Sequence, residues 1–286
     1  MNRNTEVDAT LTEKKALLRE RIAELGSAVV AFSGGVDSAL LLAMCLEVLG
    51  PERVLAVTVE SAIHPTIERG RASELATNLG ARHIVLDSDI LDDDEFNANS
   101  PQRCYFCKRS IMHRLRLLAD QEGLSHVVHG ANVSDMGDFR PGTRATVEAG
   151  ARAPLQEAGL TKEDIRALSH ELGLPTWDEP SMACLASRFP YGTQLTAEGL
   201  ARVDAAENFL RQAFGLRQLR VRDHEPMARI EVPAEDILSL VQPDARSRIV
   251  ARFKELGYTY VTIDLAGFRS GSLNEVLSSS ETSGGK

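Results

Sequence analysis

Three groups of residues in this sequence have the types and spacing to do chemistry. The first is Ser33-Gly34-Gly35-Val36-Asp37-Ser38, between the apolar runs Ser27 to Phe32 and Ala39 to Leu49. The first run reads as a buried strand and the second as a helix, so the glycines fall at a strand–helix junction. There they permit a tight turn and close backbone approach, and the unpaired N–H groups of the new helix face an anion. Ser33 and Ser38 add hydroxyl donors, and Asp37 suits Mg2+ or loop ordering better than direct phosphate contact. Any α/β protein can carry a glycine-rich turn, but the full S-G-G-x-D-S string is far more restrictive, and it lacks the G-K-[ST] of a Walker A loop.

The second group is sulfur. Cys104 and Cys107 form a C-x-x-C pair at the start of a helix, flanked by Arg103, Lys108 and Arg109, a setting expected to favour thiolates. Such a pair is a redox dithiol, half a zinc site, part of an iron–sulfur site, or merely packed cysteine. Cys184 lies in the proline-punctuated loop Leu174 to Gly192, with Ser187 and Arg188 close behind. If the fold unites the loops, three thiols can hold a [4Fe–4S] cluster with one iron open. Cys45, inside the apolar helix, is expected in the core. The third group is Arg220 and Arg222, alternate residues of a strand that would share one face and grip one anion together.

The elements that must position these groups alternate. A helix from Leu11 to Leu25 precedes the first strand, and Val54 to Val59, His83 to Leu86 and His126 to His129 read as further strands. The spacing predicts helices over His64 to Leu79, after Cys104 with Ile111, Leu115 and Leu118 inward, and over Thr161 to Leu172 behind a Thr161 N-cap. This order implies a doubly wound parallel sheet with ligands at the carboxyl ends of its strands. Ser61, just past the second strand, is either placed to reach a nucleotide or a simple turn residue, and Gly130 opens the small, polar exit loop of the fourth strand. His126 and His129 read as structural histidines. The acidic run Asp87 to Glu95 reads as a solvated loop, and the stretches around Arg140 to Arg144 and Ala153 to Leu155 also read as loops.

Beyond Thr193 the character changes. Helices at Thr196 to Phe214, Pro233 to Leu240 and Pro243 to Leu256 surround strands at Gln218 to Arg222, Arg229 to Val232 and Tyr258 to Ile263. The expectation is a domain over residues 1–192, a smaller antiparallel α+β domain over 193–277, and a disordered tail over 278–286. The 286 residues suffice for this division. No apolar run approaches the ~20 residues of a membrane span, and the N-terminus lacks a secretory apolar stretch, so a soluble cytoplasmic protein is expected. A net charge of −9 disfavours broad contact with nucleic acid. Four cysteines in a reducing compartment point to metal or redox chemistry, not disulfides.

The glycine loop resembles the PP-loop of the ATP pyrophosphatase superfamily, which holds the pyrophosphate end of ATP while a substrate oxygen is adenylylated. SGGVDS, RCYFCK, GANVSDMGDFRPG, APLQEAGLTKEDIR and above all ACLASRFPYGT together resemble the LarE family, over about Leu17 to Asn274. Its members are ATP-dependent sulfur transferases that make the organic ligand of the nickel-pincer nucleotide cofactor. The resemblance implies a pyridinium dicarboxylate mononucleotide substrate, a carboxylate adenylylated with release of pyrophosphate, and a thiocarboxylate product. Some members sacrifice the sulfur of a loop cysteine matching Cys184. Others add two cysteines, matching Cys104 and Cys107, and use a cluster-bound sulfide, the type this chain looks like. By the same resemblance Ser33, Gly35, Asp37 and Ser38 bind ATP and Mg2+, with Gly34, Ser61 and Gly130 expected beside the ATP, and Lys108, Ser187, Arg188, Arg220 and Arg222 bind substrate or AMP phosphate. Glu231 would join a cation site and a hexamer would form through the small domain; a sulfur donor is a further partner that the sequence does not identify. A PP-loop tRNA thiolase carrying three cysteines is the alternative enzyme. An amide-forming ligase leaves the cysteines unexplained, and a nucleotide- or zinc-binding regulatory module would bind ATP without releasing pyrophosphate.

Overall fold

The computed structural model describes residues 3–137, 141–180 and 183–277. In chain order the elements are α1 (Arg3–Ala23), β1 (Ala28–Ala31), α2 (Val36–Leu49), β2 (Val54–Glu60), α3 (Arg71–Asn78) and β3 (Arg82–Asp87). Then come α4 (Asp94–Asn97), α5 (Arg103–Gln121), β4 (His126–Val128), α6 (Pro141–Glu148), α7 (Pro154–Glu157) and α8 (Lys162–Glu171). The remainder is α9 (Ala197–Phe214), β5 (Arg220–His224), β6 (Met227–Glu231), α10 (Ala234–Leu240), α11 (Pro243–Glu255) and β7 (Tyr260–Ile263).

Among the described residues β1 to β4 form one parallel sheet in the order β3-β2-β1-β4, with Ala28 opposite Val54 on one side and His126 on the other. Its central strands are apolar throughout because helices cover both faces. Val30 and Ala56 meet α1, α2 and α8, whereas Val29, Leu55 and Val57 meet Met112, Leu115 and Ala119 of α5. The fold is therefore α/β and doubly wound, and its second sheet is smaller. That sheet, β5-β6-β7, is mixed: β5 and β6 are antiparallel, as expected, but β7 runs parallel to β6 because α10 and α11 make a crossover between them. Helix α9 joins the two, with Leu200 and Val203 packed against Ile63, Phe96 and Leu185, and Ala206 and Leu210 packed under the second sheet.

Several local expectations are corrected. The α-helix expected from His64 starts only at Arg71: Gly70 adopts a left-handed φ of 77°, and residues 64–70 hold only a single 3-10 turn at Thr66–Glu68. The acidic run is ordered, because Ile90 and Phe96 are buried beneath it and Asp93 caps α4 through the Phe96 N–H. Pro141–Glu148 and Pro154–Glu157 are helices, each beginning at a proline, which suits the first helical turn. Arg140 and the tail 278–286 lie outside the described residues. No helix among the described residues is long and apolar enough to cross a membrane.

Candidate active site

Helix α2 begins at Val36, inside the glycine loop, so Asp37 and Ser38 occupy its first turn at the carboxyl end of β1. Ser38 Oγ donates to Gly35 O at 3.0 Å and lies 3.1 Å from Ser33 Oγ. The hydroxyls thus fold into the loop on the side where the free N–H groups of α2 emerge. Two glycines let backbones meet. A Cβ on Gly34, whose φ is 76°, would stand 3.2 Å from Ala72 Cα, and one on Gly130 would stand 3.1 Å from Asp37 C and Ser38 N. Gly130 therefore lets the β4 exit loop press against the first turn of α2.

Around this junction opens a cleft of about 800 Å³, the size of a nucleotide site. Ser33, Asp37, Ser38, Gly130 and Asn132 line it together with Cys104, Lys108, His64 and Glu68, and Ser270 from the C-terminal segment is also on its wall. Two residues that the sequence reading did not single out organise it. Lys162 Nζ donates to Asp37 Oδ2 at 2.5 Å, and Asn132 Nδ2 donates to Asp37 Oδ1 at 3.1 Å. Lys162 supplies the cation that the loop itself lacks. Its signal was hidden because Thr161-Lys162-Glu163-Asp164 reads as a capped helix start, which the structure bears out with a capping box.

His126 is tied to the turn between α1 and β1, Nδ1 lying 3.0 Å from Leu25 O, but His129 faces the cleft. Burial first, then Lys108, lowers His129 to about 4 and holds His64 below the ordinary histidine range, so both rings are neutral at pH 7. Burial raises Glu68. Ser61 Oγ sits 3.2 Å from His64 Nδ1 and orients that ring; Ser61 is not among the residues lining the cleft.

The cysteines come from the first turns of α5, which carry Cys104 and Cys107, and from the loop that holds Cys184. Cys107 and Cys184 pack against the same apolar cluster of Ile63, Ile90, Phe96 and Leu185. Cys107 also feels the charges of Cys184 and Cys104. Contrary to the thiolate expectation, burial pushes the Cys107 thiol up to about 12, outweighing Lys108. Arg109 is committed to Glu95, and Arg103 donates to Asn99. Cys45 is buried in the core and likewise raised to about 12. Among the described residues, no three His, Cys, Asp or Glu side chains stand at metal-ligand spacing.

The arginines of the second sheet are not an open pair. Arg222 donates to Glu231 through Nε at 3.0 Å and Nη2 at 2.8 Å, and to Ser187 O at 2.6 Å. Glu231 also accepts from Arg229, so it serves as an arginine partner. Arg188, wholly buried, places Nε and Nη2 on Glu207 at 2.8 and 2.9 Å and Nη1 on the carbonyls of Ala183 and Cys184 at 2.8 and 3.1 Å. Ser187 Oγ donates to Cys184 O at 2.8 Å. Arg188 and Ser187 thus shape the cysteine loop. Arg220 lies over Phe268, and burial followed by Arg188 lowers its guanidinium to about 10.

Comparison with known proteins adds one family match and three relatives. Residues 10–131 match the NAD synthase family model, which covers the glycine loop, β1 to β4 and the C-x-x-C helix. The chain is 42% identical over 273 residues to pyridinium-3,5-bisthiocarboxylic acid mononucleotide synthase of Lactiplantibacillus plantarum, covering 96% of this chain and 98% of that protein. It is 41% identical to an uncharacterized protein of Synechocystis sp. over 93% of this chain and 99% of the other, and 29% identical to argininosuccinate synthase of Haloarcula marismortui over 52% and 38%.

Proposed function

The chain belongs to the LarE family of ATP-dependent sulfurtransferases, and from that premise we propose that it converts a carboxylate of a pyridinium dicarboxylate mononucleotide to a thiocarboxylate, using Cys104, Cys107 and Cys184 as one sulfur-handling set. The observation that carries the reading is the SGGVDS turn opening on the cleft with Asp37 bridged to Lys162 and Asn132. Ser33, Ser38, the Gly34 and Gly35 backbone and Lys162 hold the terminal phosphates of ATP, and Asp37 carries Mg2+. A substrate carboxylate oxygen attacks the α-phosphorus, the bond to the β-phosphate oxygen breaks, and pyrophosphate leaves with its charge met by Lys162. The product acyl-adenylate has AMP as a good leaving group. A sulfur nucleophile then adds to the carbonyl carbon, the carbon–oxygen bond to AMP breaks, and the thiocarboxylate forms. Lys108, on the wall of the cleft, and Arg220, above Phe268, offer charge to the substrate's anionic groups.

A [4Fe–4S] cluster held by Cys104, Cys107 and Cys184 would supply an open iron position that presents hydrosulfide for repeated use. Its fit rests on donor chemistry: the Cys104 and Cys184 thiols both lie within electrostatic reach of Cys107. Residues 193–277 form the unit for substrate contact and self-association. Anaerobic purification with iron and sulfide analysis, alongside product and intact-mass measurements, tests the proposal. The expected result is AMP and pyrophosphate, bound iron lost on each single Cys→Ser change at 104, 107 or 184, and unchanged mass after more than one turnover. Loss of one hydrogen sulfide from Cys184 would replace the cluster with sacrificial chemistry, and release of ADP and phosphate would overturn adenylylation.

A further inference from the structure

The start of α5 is tied to the Cys184 loop through one buried side chain on each side of a sharp reversal. Asn99 is fully buried and, with a φ of 51°, is the one non-glycine residue with positive φ among the described residues. Its Nδ2 donates to Pro190 O at 2.9 Å, its backbone carbonyl accepts from Gly192 N at 3.0 Å, and its Oδ1 accepts from Arg103 Nη1 at 2.9 Å. Arg103, itself buried, stacks its guanidinium on the ring of Tyr191, 4.8 Å from the centroid. Tyr191 in turn donates from its hydroxyl to Asn274 Oδ1 at 2.8 Å. Residues four apart on a helix share a face, so the side of α5 that carries Arg103 also carries Cys107. Tyr191 lies close enough to Cys104 and Cys184 for both to influence its hydroxyl. The contacts run from the C-x-x-C helix and from Asn99 ahead of it to residues 190–192, six to eight positions beyond Cys184.

We infer that Asn99, Arg103 and Tyr191 are a positioning clamp that sets the distance between the C-x-x-C thiols and Cys184. The inference rests on the reading of these cysteines as one set. None of the three clamp residues touches the ATP loop contacts described above. The clamp acts by fixing backbones, and the planar Arg103 fork is what joins amide and ring at once; lysine cannot do both.

The test uses wild-type protein and the variants Asn99→Gly, Arg103→Lys, Tyr191→Ala and Tyr191→Phe. Asn99→Gly keeps the left-handed backbone while removing the amide, and Tyr191→Phe keeps the ring. In iron-free protein, the yield of a Cys107–Cys184 disulfide under mild oxidation is mapped by peptide mass spectrometry. Iron retained after anaerobic reconstitution and ATP binding are measured in parallel. Asn99→Gly, Arg103→Lys and Tyr191→Ala should lower disulfide yield and weaken iron retention by about tenfold or more, the scale of losing groups that orient metal ligands, with ATP binding unchanged. Tyr191→Phe should behave as wild type. Wild-type yields in the first three variants, or no Cys107–Cys184 disulfide in the wild type, would overturn the clamp. If the wild type holds no iron but the variants still lose the disulfide, the clamp stands and the cluster reading falls.

Discussion

Replacing Arg188 by alanine should damage the fold before it damages ligand binding. Glu207 is fully buried and accepts from Arg188 Nε and Nη2, from Arg211 Nη2 at 3.2 Å and from Val221 N at 3.0 Å. Burial works to raise its carboxyl pKa, but Arg188 and Arg211 prevail and hold it below the ordinary glutamate range. Truncating Arg188 removes two of these four bonds and leaves the carboxylate undercompensated in the core, while Cys184 O and Ala183 O lose a donor. Breaking one partner of a buried pair costs about 3–5 kcal/mol. At roughly 2–4 °C per kcal/mol for chains of this size, Tm should fall by roughly 6–20 °C. Denaturant unfolding gives the direct measure. The double change Arg188→Met with Glu207→Leu should recover most of the loss, since apolar replacement of a buried pair is often neutral. The pH dependence has a definite sign: because the folded pKa of Glu207 is lowered, its stabilisation is present above the unfolded value near ~4.3 and is lost as pH falls through the folded one. Glu207→Gln should therefore flatten the acid limb of the stability curve. An Arg188→Ala protein within about 1 kcal/mol of wild type that has lost affinity for substrate or AMP would refute this, because it would mean that the fork serves the ligand and not Glu207.

Other outcomes follow from the same geometry. Asp37→Ala should be nearly inactive, and Lys162→Ala should slow pyrophosphate release by roughly 10²-fold or more, the scale of losing one charge-stabilising donor in a reaction site, read from a coupled pyrophosphate assay. Gly130→Ala drives a Cβ to 3.1 Å from the Asp37 backbone and should cost about 1–3 kcal/mol of stability with weaker ATP binding, measured by thermal denaturation with and without nucleotide. In iron-free protein at pH 8, alkylation should reach exposed Cys104 first and Cys45 last, since burial holds Cys45 at about 12; early labelling of Cys45 would show that α2 opens.

What the sequence determined by itself is what local physics encodes. Two glycines between a β-branched apolar run and a helical one specify the strand–turn–helix at Ser33, and the alternation of strands and helices specifies a parallel sheet with that turn at its carboxyl edge. Thr161 with Asp164 specified the start of α8 for the same reason, since a cap is a contact between near neighbours. The relative direction of β6 and β7 was not legible, because antiparallel and crossover connections differ only in how the intervening helices pack. Nor was the fate of Arg222. Strand alternation shows which face a side chain takes, but not that Glu231 and Ser187 O already occupy it. The convergence of Lys162 on Asp37, 125 positions away, and of Cys184 on the C-x-x-C helix was decided by tertiary structure alone. Contacts between distant residues are set by how whole elements bury their apolar faces, and no local pattern in the chain records which two loops will share one edge of the sheet.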